Sequence, residues 1–221
     1  MVDKNIICLI PVRSGSKRIK NKNIRKINSI PLIKYVFLNV INSRKVNNFY
    51  LASDKKYFYE RLGNLKKKIS FFKRSKKSST DKAQTEVVIE EFIKKKKIKG
   101  TIVLVQATNP FVNYKHIDNA LKIYQNENLD CVFSAVRSKH FLWADSKKTY
   151  PLNYNYKKRT FSQFNKGYFV ENGGIYIFDS VNFLKKKNRL HGKIGIYEMP
   201  FESIHEIDEK EDLKIISKLL K

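Results

Sequence analysis

Along this chain, apolar runs of strand length alternate with longer stretches in which apolar residues return every third or fourth position. Residues 6–12 (IICLIPV) form the first run, rich in β-branched side chains and of the length of a strand buried on both faces. Behind Pro31, at a tolerated first-turn position, Leu32, Ile33, Val36, Phe37, Val40 and Ile41 follow helical spacing over 31–41. Strand-like runs recur at 48–53, 69–72, 101–105, 131–136, 175–178 and 194–199. Helical spacing recurs at 55–65, through Val87, Val88, Phe92 and Ile93, at 114–126, at 181–187, and in the closing Leu213, Ile215, Ile216, Leu219 and Leu220. Strands alternating with helices predict an open α/β sheet.

The rhythm breaks between Arg137 and Tyr168. No period holds there, and aromatics crowd in: Phe141, Trp143, Tyr150, Tyr154, Tyr156, Phe161, Phe164 and Tyr168. An insertion packing against another copy of the chain accounts for that surplus better than a long loop, since aromatics are favoured at interfaces.

At 221 residues and 42% hydrophobic content, the chain fits one α/β domain spanning 1–221, with 137–170 as an inserted arm. It has no run of 18 apolar residues, which excludes a helical membrane span. Residues 1–4 enter the first strand without a secretory apolar core, so the expected location is the cytoplasm. Cys8 and Cys131 both fall inside predicted strands, as buried reduced thiols rather than a disulfide framework. The net charge of +26 raises the question of nucleic acid. Yet the lysines lie in scattered short runs, many near predicted helix ends, and neither zinc-finger spacing nor an RNP-like aromatic motif accompanies them. Solvated faces, with no specific nucleic-acid partner, are expected.

Candidate chemistry sits at strand ends. The first strand runs into Arg13-Ser-Gly-Ser-Lys17-Arg18, with Lys20 and Lys22 beyond. A cationic, hydroxyl-bearing loop at the carboxyl end of the first parallel strand is where open α/β sheets bind phosphates, although neither G-x-x-x-x-G-K-[ST] nor G-x-G-x-x-G is present. Asp54 ends the second strand and reads either as a site residue or as the N-cap of the next helix. Residues 74–85 form a basic, hydroxyl-rich loop, longer than a simple βα connection needs. Glu206 and Asp208, two apart, point to one side of an extended segment. They could hold a hard divalent cation. Alternatively, Asp208 caps the last helix and Glu206 is solvated. The four histidines show no ligand spacing, and no nucleophile elbow is present.

Five stretches in order resemble the acylneuraminate cytidylyltransferases. They are Pro11, Arg13, Ser16, Lys17, Lys22, Asn23, Pro31 and Leu32; Arg74 with Ser79-Thr80-Asp81 and Thr85; Gln106 to Pro110; Asn172-Gly173-Gly174-Ile175-Tyr176; and Glu206-Ile207-Asp208 with Asp212-Leu213. The resemblance implies a Rossmann-like, mostly parallel sheet with helices on both faces and a dimerisation arm after the fifth strand, hence a homodimer. It implies transfer from CTP to a sialic-type sugar acid, giving CMP-sugar and pyrophosphate with Mg²⁺, in cell-surface polysaccharide biosynthesis. By the same resemblance Arg13, Ser16, Lys17 and Lys22 bind the triphosphate, and Asn23, Arg74 and Thr85 hold cytosine and ribose. Gln106 and Asn172 face the sugar acid, and Glu206 and Asp208 hold the metal. Arg13, Lys17 and Asp208 carry the catalysis, and no separate general base stands out.

The chain departs from the family at four places. Glu206 replaces an Asp, Ala107 and Asn109 alter the Gln-Pro-Thr-Ser-Pro turn, and Val112 stands where an Arg often follows. Arg159 is a candidate for the family's arm arginine. Two other readings are a 3-deoxy-manno-octulosonate cytidylyltransferase, whose opening loop differs, and a non-catalytic basic nucleic-acid-binding protein on the same fold.

Overall fold

Alternate residues of the first strand, β1 (Ile6–Val12), face two different hydrophobic cores. Ile6, Cys8, Ile10 and Val12 join one core, and Ile7 and Leu9 the other. That period of two belongs to a strand covered on both faces. The computed structural model describes residues 5–145, 147–159 and 161–220; residues 1–4, which bear on the expected absence of a leader, lie outside them.

The remaining strands of the seven-stranded sheet are β2 (Asn48–Ser53), β3 (Ile69–Lys73), β4 (Thr101–Val105), β5 (Cys131–Ser138), β6 (Tyr168–Asp179) and β7 (Ile194–Glu198). Their order is β7-β5-β6-β4-β1-β2-β3. All run parallel except β6, which is antiparallel to both β4 and β5. Helices α1 (Leu32–Val40), α5 (Tyr114–Asn126) and α7 (Lys210–Leu219) cover one face through Val36, Phe37, Leu121 and Ile216. Helices α4 (Thr85–Lys96) and α6 (Ser180–Lys186) cover the other through Val88, Phe92 and Phe183. Two four-residue helices, α2 (Tyr57–Glu60) and α3 (Lys76–Ser79), sit in connections. The mostly parallel sheet with helices on both faces is the predicted one. Among the described residues no helix is long and apolar enough to cross a membrane.

The strands at 6–12, 48–53 and 101–105 and the helix at 114–126 fall where the sequence places them. The helix predicted at 55–65 is instead α2 followed by a 3-10 stretch, Gly63–Lys68. Strand β6 starts earlier than predicted, at Tyr168, because a register shift between Glu171 and Tyr176 lets it outrun β4 and continue pairing with β5. Residues 137, 138 and 168–170 therefore belong to the main sheet. The excursion between them holds a two-stranded ribbon, Trp143–Ala144 against Tyr150–Pro151. There Phe141 stacks on Tyr154 at 4.2 Å and the Arg159 guanidinium lies 4.3 Å over the Phe141 ring. Trp143, Tyr150, Tyr156, Phe161 and Phe164 remain exposed.

Strand order reverses at β1, with β2 on one side and β4 on the other. The crevice outside the carboxyl ends of β1 and β4 is thus the topological switch point. Gly100 secures that pairing. Its φ is +149°, and a Cβ there would lie 2.2 Å from the Asn5 carbonyl oxygen. The close approach lets the Thr101 N–H donate to Asn5 O at 3.0 Å, while the Gly100 N–H donates to Ser180 Oγ at 3.0 Å. Gly100→Ala adds backbone strain of roughly 1–3 kcal/mol on top of the clash. The expected fall in thermal midpoint is about 5–10 °C, at about 2–4 °C per kcal/mol for a domain of this size. An unchanged midpoint would contradict the packing described.

Candidate active site

Arg13 follows β1 directly, and the chain then turns tightly, with the Ser16 N–H donating to Ser14 O at 3.0 Å. Two side chains fix that turn from below. The Ser14 N–H donates to Asp54 Oδ1 at 3.0 Å, and the Ser14 hydroxyl donates to Asp54 Oδ2. Asn23 Nδ2 donates to the Arg13 carbonyl at 3.1 Å. Asp54 thus serves the opening loop rather than capping a helix. The only advance signal was an acid at the carboxyl end of the second strand.

The loop forms one wall of a cavity of about 740 Å³. Arg13, Ser16, Lys17, Lys22, Asn23, Arg74, Thr85 and Gln106 all line it, as do Arg18, Lys82 and Thr108, which sequence reasoning did not assign. Six cationic side chains line the cavity, Arg13, Lys17, Arg18, Lys22, Arg74 and Lys82, against one carboxylate, Asp81. The arrangement suits a polyanion carrying an apolar or aromatic portion, since Val12, Ala83, Val88 and Ala107 also contribute.

Arg74, at the end of β3, is 7% exposed. Its Nη1 donates to Val12 O at 3.0 Å and its Nη2 donates to Ser78 O, tying the second loop to the end of β1. Its Nε is buried without a hydrogen-bond partner among the described residues. Burial lowers the pKa of the guanidinium; nearby Asp54 opposes that shift. Glu91 on α4 anchors the same loop, accepting from the Ser75 N–H at 3.0 Å and the Ser75 hydroxyl at 3.0 Å.

Gln106, Ala107 and Thr108, at the end of β4, also line the cavity, whereas Glu206 and Asp208, on the approach to α7, lie outside its lining and join it through Thr108, Lys22 and Arg18. The Ile207 N–H donates to Thr108 O at 2.8 Å, and the Thr108 hydroxyl donates to Glu206 Oε2 at 3.1 Å. Gly173, at φ +60°, lets Glu206 lie against its Cα, where a Cβ would stand 2.5 Å from Oε2. Lys22 Nζ donates to Ile207 O at 2.7 Å and to Asp208 Oδ1 at 3.2 Å, and Arg18 Nη2 pairs with Asp208 Oδ2 at 3.0 Å. Asp208 does not cap the last helix: Glu209 is the N-cap, in a capping box with Asp212. Nor is Glu206 solvated. Burial raises its pKa; the bond from Thr108 and the charge on Lys22 pull it down, and nearby Asp208 and Glu171 push it up. Among the described residues no group of three or more His, Cys, Asp or Glu is placed to hold a metal. Two neighbouring carboxylates nevertheless offer the all-oxygen donors that Mg²⁺ takes when phosphate oxygens and water complete its shell.

Asn172 is not brought to the cavity. It is 1% exposed. Its Oδ1 accepts from Ser134 Oγ at 2.6 Å, its Nδ2 donates to Ser203 Oγ at 2.9 Å, and its carbonyl accepts from Asn109 Nδ2 at 2.7 Å. It locks the β6 bulge behind the site, and Asn109 welds the Gln106–Pro110 turn to it. Val112 is fully buried in the core, so it supplies neither charge nor contact at the site.

A family model described as "Cytidylyltransferase" matches residues 7–221. N-acylneuraminate cytidylyltransferase A of Danio rerio is 31% identical over 212 residues, covering 93% of this chain and 48% of that relative. Post-translational flagellin modification protein B of Campylobacter coli is 28% identical over 230 residues, covering 98% of this chain and 95% of that relative. The chain spans about half the length of the N-acylneuraminate cytidylyltransferases it matches. Among solved structures, a CMP:2-keto-3-deoxy-manno-octonic acid synthetase complexed with CTP superposes at a TM-score of 0.69 with 14% identity, covering 98% of both chains, and shares the fold. Since the family model takes in the cationic loop, the switch-point crevice and the carboxylate segment together, this chain belongs to the cytidylyltransferase family.

Proposed function

We propose that this chain is a nucleotidyltransferase that moves a cytidylyl group from CTP to a nonulosonic, sialic-type sugar acid, giving CMP-sugar and pyrophosphate. The observation that carries the reading is the cavity at the carboxyl ends of β1 and β4, lined by six cations against one carboxylate. Arg13, Ser16, Lys17 and Lys22 bind the triphosphate. Arg74, Thr85 and the neighbouring apolar side chains hold the nucleoside, while Asn23 and Asp54 fix the loop backbone. Gln106 lies towards the sugar. In this reading Asn172 and Val112 act from the interior, so the carboxylate of the sugar acid takes its contacts elsewhere.

The oxygen of the sugar's anomeric hydroxyl forms a bond to the α-phosphorus and gives up its proton to water, and the bond from that phosphorus to the bridging oxygen of pyrophosphate breaks. Positioning and charge neutralisation carry most of such a transfer. Arg13 and Lys17 offset charge on the phosphoryl oxygens from one wall, with Lys22 near the opposite one. Glu206 and Asp208 would hold Mg²⁺, which supplies Lewis-acid neutralisation when bound. The exposed aromatics between Ser138 and Tyr168 pair with a second copy of the chain. The two free, buried cysteines, Cys8 and Cys131, suit the reducing cytoplasm.

Incubation with CTP and Mg²⁺ against a panel of sialic, legionaminic, pseudaminic and 3-deoxy-manno-octulosonic acids, read by product mass, is expected to give a CMP-sugar with one of the nonulosonic acids and none in a chelator. Turnover with the octulosonic acid alone would move the substrate assignment, and no CTP binding at all would end the reading. A second expectation concerns Glu206. Its raised pKa means that the folded state favours the protonated acid, so the ionised group costs stability above the ordinary carboxylate range. In chelator, Glu206→Gln is expected to raise the thermal midpoint at neutral pH, and this gain should vanish as pH falls below that range. A midpoint lowered at neutral pH would show that the ionised carboxylate is stabilising.

A further inference from the structure

Asp81 stands where the proposed triphosphate would lie. Its Oδ1 accepts from Arg13 Nη1 at 2.9 Å and its Oδ2 pairs with Lys17 Nζ at 2.9 Å. The same Oδ1 would be 3.5 Å from a Cβ on Gly15, so one carboxylate spans the loop from residue 13 to residue 17. It is presented by a separate segment, the turn that leads into α4. There Arg13 Nη1 also donates to Thr80 O at 2.8 Å, and the Ala83 N–H donates to the same oxygen at 3.2 Å.

The side chains of Asp81 and Lys17 are 37% and 77% exposed. Ion pairs this open to water are individually weak and readily exchanged for another anion. The cavity is lined both by Arg13, Ser16, Lys17 and Arg18 and by Asp81, Lys82, Ala83 and Thr85, and the Asp81 carboxylate bridges the two segments that a ligand would have to touch. Phosphoryl oxygens cannot take the same donors while Asp81 keeps them, because the two anions would then sit at hydrogen-bond range of each other. The carboxylate therefore has to leave when a polyanion enters.

We infer that Asp81 is an internal anion gate on the cationic loop, neutralising Arg13 and Lys17 until a phosphate-bearing ligand displaces it. The inference rests on the proposed phosphate-binding role of that loop. Its consequence is that every phosphate ligand binds more weakly than the bare loop would allow. Weakly held anions are thereby kept off, and pyrophosphate is helped to leave.

Calorimetric titration tests the gate with inorganic pyrophosphate, CTP and cytidine, at neutral pH and fixed ionic strength. Four proteins are compared: the native chain, Asp81→Asn, Asp81→Ser, and Glu60→Gln as a control that removes one surface charge. Asp81→Ser serves as a second gate variant, and thermal midpoints check folding. Asp81→Asn and Asp81→Ser are expected to bind pyrophosphate and CTP about five- to tenfold more tightly, the scale of two exposed ion pairs removed from competition. Cytidine affinity should not change, and Glu60→Gln should match the native chain. Unchanged or weakened pyrophosphate binding in both gate variants overturns the inference, because Asp81 would then be idle or part of the ligand site. Equal tightening in Glu60→Gln overturns it as well, since net charge alone would explain the gain. Tighter pyrophosphate binding with no CTP binding leaves the gate standing and removes the cytidylyl-transfer reading. No pyrophosphate binding by any variant overturns the gate.

Discussion

Crowding of like charge at the carboxyl end of β1 is the constraint on which the rest of this structure depends. Arg13, Lys17, Arg18 and Lys22 fall within ten residues of one another. They are held together by groups that arrive from elsewhere in the fold. Asp54 reaches the loop from the end of β2, Asp81 from the segment after β3, and Asp208 and Glu209 from the approach to α7. The strand order, with β2 and β4 flanking β1, delivers these segments to the same edge. A parallel sheet concentrates loops at its carboxyl end, and here those loops bring the counter-charges with them.

The remaining positive charge has a different logic. Lys94 and Lys95 pair with Glu90 and Glu91 one turn back on α4, and Lys187 reaches the same Glu90 from beyond α6. Such pairs contribute little stability each. They show basic residues placed on helix faces and near helix ends, the distribution expected of solvated surfaces. The functional charge is the small fraction focused in the crevice, where low-dielectric walls strengthen its field.

Much of the fold was legible because its signals are local. Largely apolar runs of strand length gave β1, β2 and β4, and an amphipathic period gave α5. Part of the lining of the candidate cavity was legible: the cationic loop beginning at Arg13 from its place after the first strand, and Arg74 and Gln106 through the resemblance. Asp54 was harder to read, because an acid after a strand is equally suited to capping a helix; only the fold brings Ser14 within its reach. Asn172 was placed towards the sugar acid by the resemblance alone, and no local pattern marked it as interior; the bulge in β6 buries it under Ser134 and Ser203. The early start of β6 was hidden because its pairing with β5 spans an aromatic excursion that carries no period of its own.

The claim at the centre of this account is that the loop after β1 receives the phosphates of CTP. Backbone amide hydrogen exchange with and without Mg²⁺ and CTP reads that contact directly. Protection of the amides of residues 13–17, together with slowed exchange across 74–85, is the result the account predicts. Saturating CTP that leaves residues 13–17 exchanging at their original rate, with protection appearing elsewhere in the chain, would contradict it.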